Sequence, residues 1–284
     1  MAEERVREEE RVWARHGDLD LLARIYRPPE GRTGPLPAIV EVHGGAWSTG
    51  DRNGGVVYDR ALALAGFVVV AIDFRQGPEF KHPAASADVT AAVRWVRLNA
   101  GLLEANAGRI GLAGSSSGGH LAMLAGLKPD AAEHRGVPIS AEDGSFAVHD
   151  EISAAVNFVI ALWPVSDPAA RYRYARRARI EGLMKGGEAY FGDEAAMWEA
   201  SIPRIVTAGE APVLPPLLVV QPGEDSNIPQ EMTFDLLRAY QARGGRVDYA
   251  YFPGMPHAFG HRPGEATSEM VAIMTAFARR YSQA

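Results

Sequence analysis

The sequence predicts an α/β protein: a mostly parallel central sheet with helices on both faces and a helical segment over one edge. Three observations predict it. Phe67 to Ile72 is a continuous, largely β-branched apolar run, as expected of a strand buried on both faces. Pro83 to Asn99 instead spaces Ala87, Ala91, Val93, Trp95 and Leu98 as a helix does, and such strand-like and helix-like stretches alternate along the chain. At the centre, the apolar run Arg109 to Ala113 enters Gly114-Ser115-Ser116-Ser117-Gly118 and then Gly119 to Ala125: strand, tight turn, helix.

The elements follow in order. Residues 1–16 mix acids and bases at helical spacing and read as a solvated or capping helix. Leu19 to Tyr26 is a strand ended by Pro28-Pro29, and Ala38 to Val42 is a strand that runs into His43-Gly44-Gly45-Ala46-Trp47. A helix is expected over 57–65. After the central turn and its helix, the polar stretch Lys128 to Glu151 reads as a surface insertion. Ala154 to Leu162, Pro215 to Gln221 and Arg246 to Phe252 are the remaining strands, with helices at about 230–243 and 265–281. Residues 165–212 break the alternation. Rich in arginine and aromatics, they are expected to form a helical lid inserted in a single domain spanning 1–284. The edge strand 246–252 offers pairing in a homodimer.

Composition excludes several roles. The 284 residues carry 29 basic and 35 acidic side chains, a net charge of −6, which argues against a nucleic-acid binder. With no cysteine there is no disulfide, thiolate metal site or cysteine nucleophile. No His/Asp/Glu cluster has metal-ligand spacing, and no glycine loop fits a P-loop or dinucleotide fingerprint, so no cofactor is expected. The charged N-terminus lacks the apolar core of a signal peptide and no run approaches a membrane span, so the expected location is cytoplasmic.

The chemistry centres on Ser116. A serine hydroxyl needs a base, an orienter for that base, and donors for an oxyanion. The base candidate is His257, in a Gly/Pro-rich loop after the last strand, with His261 as rival; His16, His134 and His149 sit in polar stretches and read as solvated. The acid candidate is Asp225, directly after a strand, with Glu224 adjacent. The backbone N–H groups of Gly44, Gly45 and Ser117 are the oxyanion donors, and His43 reads as a brace for that loop. Asp73, Arg75 and Asp88 read as structural ion pairs. Trp47, Trp163, Tyr172, Trp198 and Phe259 are expected to wall the substrate pocket, which suggests short-acyl or aryl esters.

Four blocks carry a family resemblance: His43-Gly44-Gly45-Ala46-Trp47, Asp73 to Glu79 with Pro83-Ala84-Ala85, Gly114-x-Ser116-x-Gly118-Gly119-His120-Leu121-Ala122, and Gly254-Met255-Pro256-His257-Ala258-Phe259. Together they resemble the hormone-sensitive-lipase-like branch of α/β-hydrolase esterases, and the serine block is also similar to feruloyl-esterase-like and kynurenine-formamidase-like relatives. The resemblance implies an α/β-hydrolase fold, a Ser116–Asp225–His257 triad, and an oxyanion hole from Gly44, Gly45 and Ser117. It implies a small-molecule ester substrate and no cofactor. Two departures stand out. Ser115 and Ser117 replace the Asp and Ala that flank the serine in the lipase-like pattern, and Ala46 replaces a third glycine, its methyl narrowing the site. The expected activity is a serine carboxylesterase acting through an acyl-enzyme. An aryl amide, formamide or carbamate hydrolase with the same triad, and a non-catalytic small-molecule receptor on this scaffold, are the alternatives.

Overall fold

The computed structural model describes residues 5–31 and 34–282. Ten strands form one sheet: β1 Arg7–His16, β2 Leu19–Arg27, β3 Leu36–Val42, β4 Val68–Ile72, β5 Ala105–Ser115, β6 Pro138–Ser140, β7 Phe146–Val148, β8 Val159–Leu162, β9 Leu217–Glu224 and β10 Val247–Pro256. Their order across the sheet is β10-β9-β8-β5-β3-β4-β2-β1-β6-β7. The run from β10 to β4 is parallel; β2 joins β4 antiparallel, and β1, β6 and β7 continue antiparallel. This is the mostly parallel sheet of the α/β-hydrolase fold.

The continuous apolar runs follow from burial on both faces. Val40, Val70 and Leu112 pack toward α2 (Ala84–Leu98) and α3 (Ser117–Leu127), in a core that includes Trp95 and Leu121. Their neighbours Ile39, Val69 and Ala113 pack the other way, with Tyr58 and Leu62 of α1 (Val56–Leu64) and Met270, Met274 and Phe277 of α9 (Glu265–Tyr281). Alternate residues of one strand thus serve two cores. Residues 168–208 hold four helices, α4 Pro168–Ala178, α5 Glu181–Phe191, α6 Glu194–Glu199 and α7 Ile202–Ala208, and α8 Gln230–Ala242 follows β9.

Two expectations need correction. Residues 7–16 are a strand, not a helix, and residues 1–4 lie outside the described residues. The charges that suggested helical pairing are satisfied largely across the sheet: Glu8 bonds Arg24 and Arg60, Glu9 bonds Arg27, and Glu10 bonds Arg52. A bulge between Val12 and Ala14 accommodates Trp13, which is fully buried with its Nε1–H donated to the Asp73 carbonyl at 3.1 Å. The stretch 128–151, expected as a surface insertion, is largely exposed but also joins the sheet. It carries β6 and β7, and buried Arg94 of α2 donates to the carbonyls of Pro129, His134 and Ile152, which ties the stretch down. His134 is accordingly buried rather than solvated, and His16 is mostly covered beside Asp88 at 3.3 Å. Smaller differences concern boundaries: β8 begins only at Val159, and β10 runs on to Pro256.

The sheet places the chemistry. His43, Ser116, Trp163, Asp225 and His257 each directly follow a strand: β3, β5, β8, β9 and β10 in turn. These strands are parallel neighbours, so all five residues emerge at one C-terminal edge, where open α/β sheets bind ligands. Among the described residues no helix is long and apolar enough to cross a membrane.

Candidate active site

The turn after β5 is built by close approach. A methyl at Gly114 would lie 2.4 Å from the Gly118 carbonyl oxygen, and one at Gly118 would lie 2.0 Å from that of Val42. Only glycine lets α3 start this near the sheet. Between them Ser116 sits at φ 54° and ψ −117°, a strained conformation for a residue with a side chain. Its N–H is held by the Leu162 carbonyl at 2.9 Å.

Three distant side chains meet there. His257 Nε2 lies 3.1 Å from Ser116 Oγ, and His257 Nδ1 lies 2.8 Å from Asp225 Oδ2. With Nδ1–H donated to the carboxylate, Nε2 is left to accept the serine proton. The Asp225 side chain is fully buried, and its other oxygen accepts the N–H groups of Asn227 and Ile228 at 2.8 and 2.9 Å. Those two bonds fix the carboxylate before it meets the imidazole. Glu224, the adjacent acid, is exposed. His261, the rival base, lines the same cavity but has no bond to Ser116, and its Nε2 has no hydrogen-bond partner.

The loop expected to supply oxyanion donors borders the same cavity. Gly44 and Gly45 line the cavity with Ser116, and a methyl at Gly44 would be 3.2 Å from Ser116 Cβ. The N–H groups of Gly44, Gly45 and Ser117 donate to no group among the described residues. His43 braces this loop: its Nδ1–H donates to the Gly44 carbonyl at 2.6 Å and its ring stacks on Phe74. Burial lowers the His43 pKa and keeps the ring neutral. Ala46 adopts φ 51°, so the residue that replaces a glycine carries left-handed strain.

The cavity is about 470 Å³, and its walls include Ala46, Thr49, Trp163, Arg171, Leu183 and Asn227. Of the five side chains expected as walls, only Trp163 is one. Trp47 is buried below: its Nε1–H donates to His120 Nδ1 at 3.3 Å, and it stacks on Tyr190. Phe259 packs against Trp163 at 5.2 Å between ring centres and so supports the wall without forming it. Tyr172 donates its hydroxyl to Glu188 at 2.6 Å. Trp198 is 47% exposed and lines a separate groove with Asp167, Arg204 and Arg238. Helical side chains three or four apart face together, but which face turns inward depends on packing that local sequence does not contain.

Sequence reasoning missed His120 and Arg171. His120 is fully buried between the oxyanion loop and the helical segment: Nδ1 accepts from Trp47 and Nε2–H donates to the Ala200 carbonyl at 2.9 Å. Burial draws its pKa down to about 4. Arg171 belongs to the arginine-rich stretch expected to form the lid, and no single arginine of it was singled out. The available signal was its place as the first arginine of α4, after the cap made by Asp167 to the Ala170 N–H. Asp73 and Asp88 do have the structural role expected of them, paired with Arg52 and Arg75 at 2.8 and 2.7 Å. No group of three or more potential metal ligands occurs among the described residues.

Known proteins are similar to this chain. The BD-FAE family model matches residues 23–239. Carboxylesterase NlhH of Mycobacterium tuberculosis is 41% identical over 127 residues, 44% of this chain and 40% of that protein. Esterase LipC of the same organism is 28% identical over 269 residues, 90% of this chain and 61% of that protein. The chain thus aligns with less than two thirds of the length of either relative. Among solved structures, the Pyrobaculum calidifontis esterase superposes with a TM-score of 0.74 at 26% identity, over 98% of this chain and 87% of that one.

Proposed function

The chain belongs to the BD-FAE family, and on that premise we propose that it is a serine hydrolase of carboxylic esters that works through an acyl-enzyme on Ser116. The observation that carries the reading is the unbroken path Ser116 Oγ to His257 Nε2 at 3.1 Å and His257 Nδ1 to Asp225 at 2.8 Å, beside a loop of unpaired N–H groups.

Ser116 Oγ attacks the acyl carbon while His257 Nε2 takes its proton. Asp225 holds the tautomer and balances the imidazolium. The N–H groups of Gly44, Gly45 and Ser117 receive the oxyanion, each such donor lowering the barrier by about 2.7–4 kcal/mol. They are in place before reaction, so little reorganisation is needed. His257 then protonates the departing alcohol oxygen. A water repeats the sequence, giving its proton to His257 and its oxygen to the acyl group, and Ser116 is released. The volume of the cavity and the bulk of Trp163, Leu183 and Ala46 at its walls support short-acyl or aryl esters.

Turnover of p-nitrophenyl acetate through hexanoate by wild type and Ser116→Ala tests the reading. Expected is measurable wild-type hydrolysis that falls by about 10⁴ or more in the variant. Equal rates in the two proteins overturn it. Matched phenyl ester and anilide substrates tell ester from amide hydrolysis in the same assay.

A further inference from the structure

Arg171 differs from the other arginines of its helix. Arg173 and Arg176 reach Glu194, and Arg177 is exposed. Arg171 is 3% exposed and lines the cavity that holds Ser116 and His257. Its Nε and Nη2 donate to Asn227 Oδ1 at 3.2 and 2.8 Å, and its guanidinium lies over the Trp47 ring at 5.7 Å. It enters no ion pair among the described residues. The acid whose field it feels is Asp225. That carboxylate is already committed to His257 and to two backbone N–H groups. Nη1 makes no hydrogen bond among the described residues and is not sealed from solvent.

A buried cation is ordinarily paired, because removing a charge from water costs far more than a neutral hydrogen bond returns. Here no carboxylate contacts the guanidinium among the described residues, Asp225 acts on it only through its field, and the guanidinium borders a cavity. Burial draws its pKa down only to about 10, so it stays cationic at neutral pH. We propose that Arg171 is a specificity-determining residue that receives a carboxylate carried by the ester, a few bonds from the scissile carbonyl. The proposal rests on the reading of Ser116 as the hydrolytic nucleophile. A planar guanidinium with a free nitrogen suits a carboxylate in a way an ammonium does not. The apolar walls at Leu183 and Trp163 suit the carbon chain or ring between the two groups. The substrate class is therefore half-esters of dicarboxylic acids, or aryl esters bearing a carboxylate.

Two matched pairs test this: monophenyl adipate against phenyl hexanoate, which charges the acyl side, and 4-acetoxybenzoate against 4-acetoxybenzamide, which charges the alcohol side. In at least one pair, wild-type kcat/KM favours the anion by about tenfold or more, chiefly through KM, and Arg171→Met brings that ratio to within about threefold of unity. Asn227→Asp separates charge recognition from bracing. It keeps the arginine and its contact but supplies an internal counter-charge, so the ratio falls as it does in Arg171→Met. Wild type that treats both members of both pairs alike overturns the proposal. So does a pair of variants that lower anionic and neutral rates in equal proportion, the mark of a purely structural arginine. Failure of wild type to turn over any of the four esters overturns the hydrolytic reading and the proposal with it, whereas turnover without charge preference overturns the proposal alone.

Discussion

The strand ends and the helical segment 168–208 contribute to the same cavity by different means. His43, Ser116, Asp225 and His257 follow strands that pair with one another, Val42 with Gly114 and, beyond a register shift after Phe252, Glu224 with Pro256. Their positions are set by backbone hydrogen bonds and by glycines that permit close approach. Arg171 and Leu183 come from α4 and α5, whose placement depends on side-chain packing and a few tethers, among them Arg171 to Asn227 and Tyr174 Oη to the Ser226 carbonyl at 2.8 Å. The difference suggests a division of labour, with reaction chemistry on the sheet edge and substrate choice on the helices.

If that division holds, damage at the strand ends abolishes turnover, and changes in the helices redirect it. The largest effect is expected from Asp225→Asn. The new amide oxygen can still accept the Asn227 and Ile228 N–H groups, so the loop keeps its shape. Its NH₂ cannot accept the His257 Nδ1 proton, so the ring is driven to the tautomer with Nε2 protonated and unable to take the serine proton. A loss of about 10³–10⁴ in kcat at unchanged melting temperature is the expected result.

His120 joins the two regions and is expected to affect stability first. His120→Ala removes two buried hydrogen bonds and leaves a cavity, at a cost of about 2–4 kcal/mol read from denaturant unfolding. Its folded pKa lies below the ordinary histidine value, so wild-type stability is full above pH 6.5 and is lost as pH falls toward 4. His82, also drawn down to about 4 by burial, and His43 contribute the same sign. In His120→Gln the acid-side slope of stability against pH is shallower than in wild type.

The smallest effects sharpen the comparison within the helices. Trp198→Ala changes ester turnover by less than about twofold, because the side chain is exposed beside another groove. Leu183→Trp narrows the cavity itself and raises KM for hexanoyl more than for acetyl esters.

The same division explains what could be read in the sequence. Strand runs, alternation and the Gly-x-Ser-x-Gly turn are local patterns, so the sheet and the strand-end residues were legible, including an acid and a base far from Ser116 in the chain. Trp47, Tyr172, Trp198 and Phe259 were named as walls on aromatic bulk alone. Bulk says that a side chain will be buried, not where, and Trp47 is buried against His120 and Tyr190 instead. The N-terminal strand was misread because alternating acids and bases satisfy helix and sheet pairing equally well; Trp13, with its place below Asp73, decides it. Arg171 was missed because charge pattern alone does not tell a solvated arginine from one turned inward; only its place just after the Asp167 cap sets it apart.

The central claim is that Ser116 is activated by His257 at the bend between β5 and α3. Treating the folded protein with paraoxon and mapping the adduct by peptide mass spectrometry tests it most directly. The account predicts one diethylphosphoryl group, on Ser116, formed at least about 10³-fold more slowly in His257→Ala. An unlabelled Ser116 in folded, ester-hydrolysing protein, or labelling that ignores the loss of His257, would contradict it.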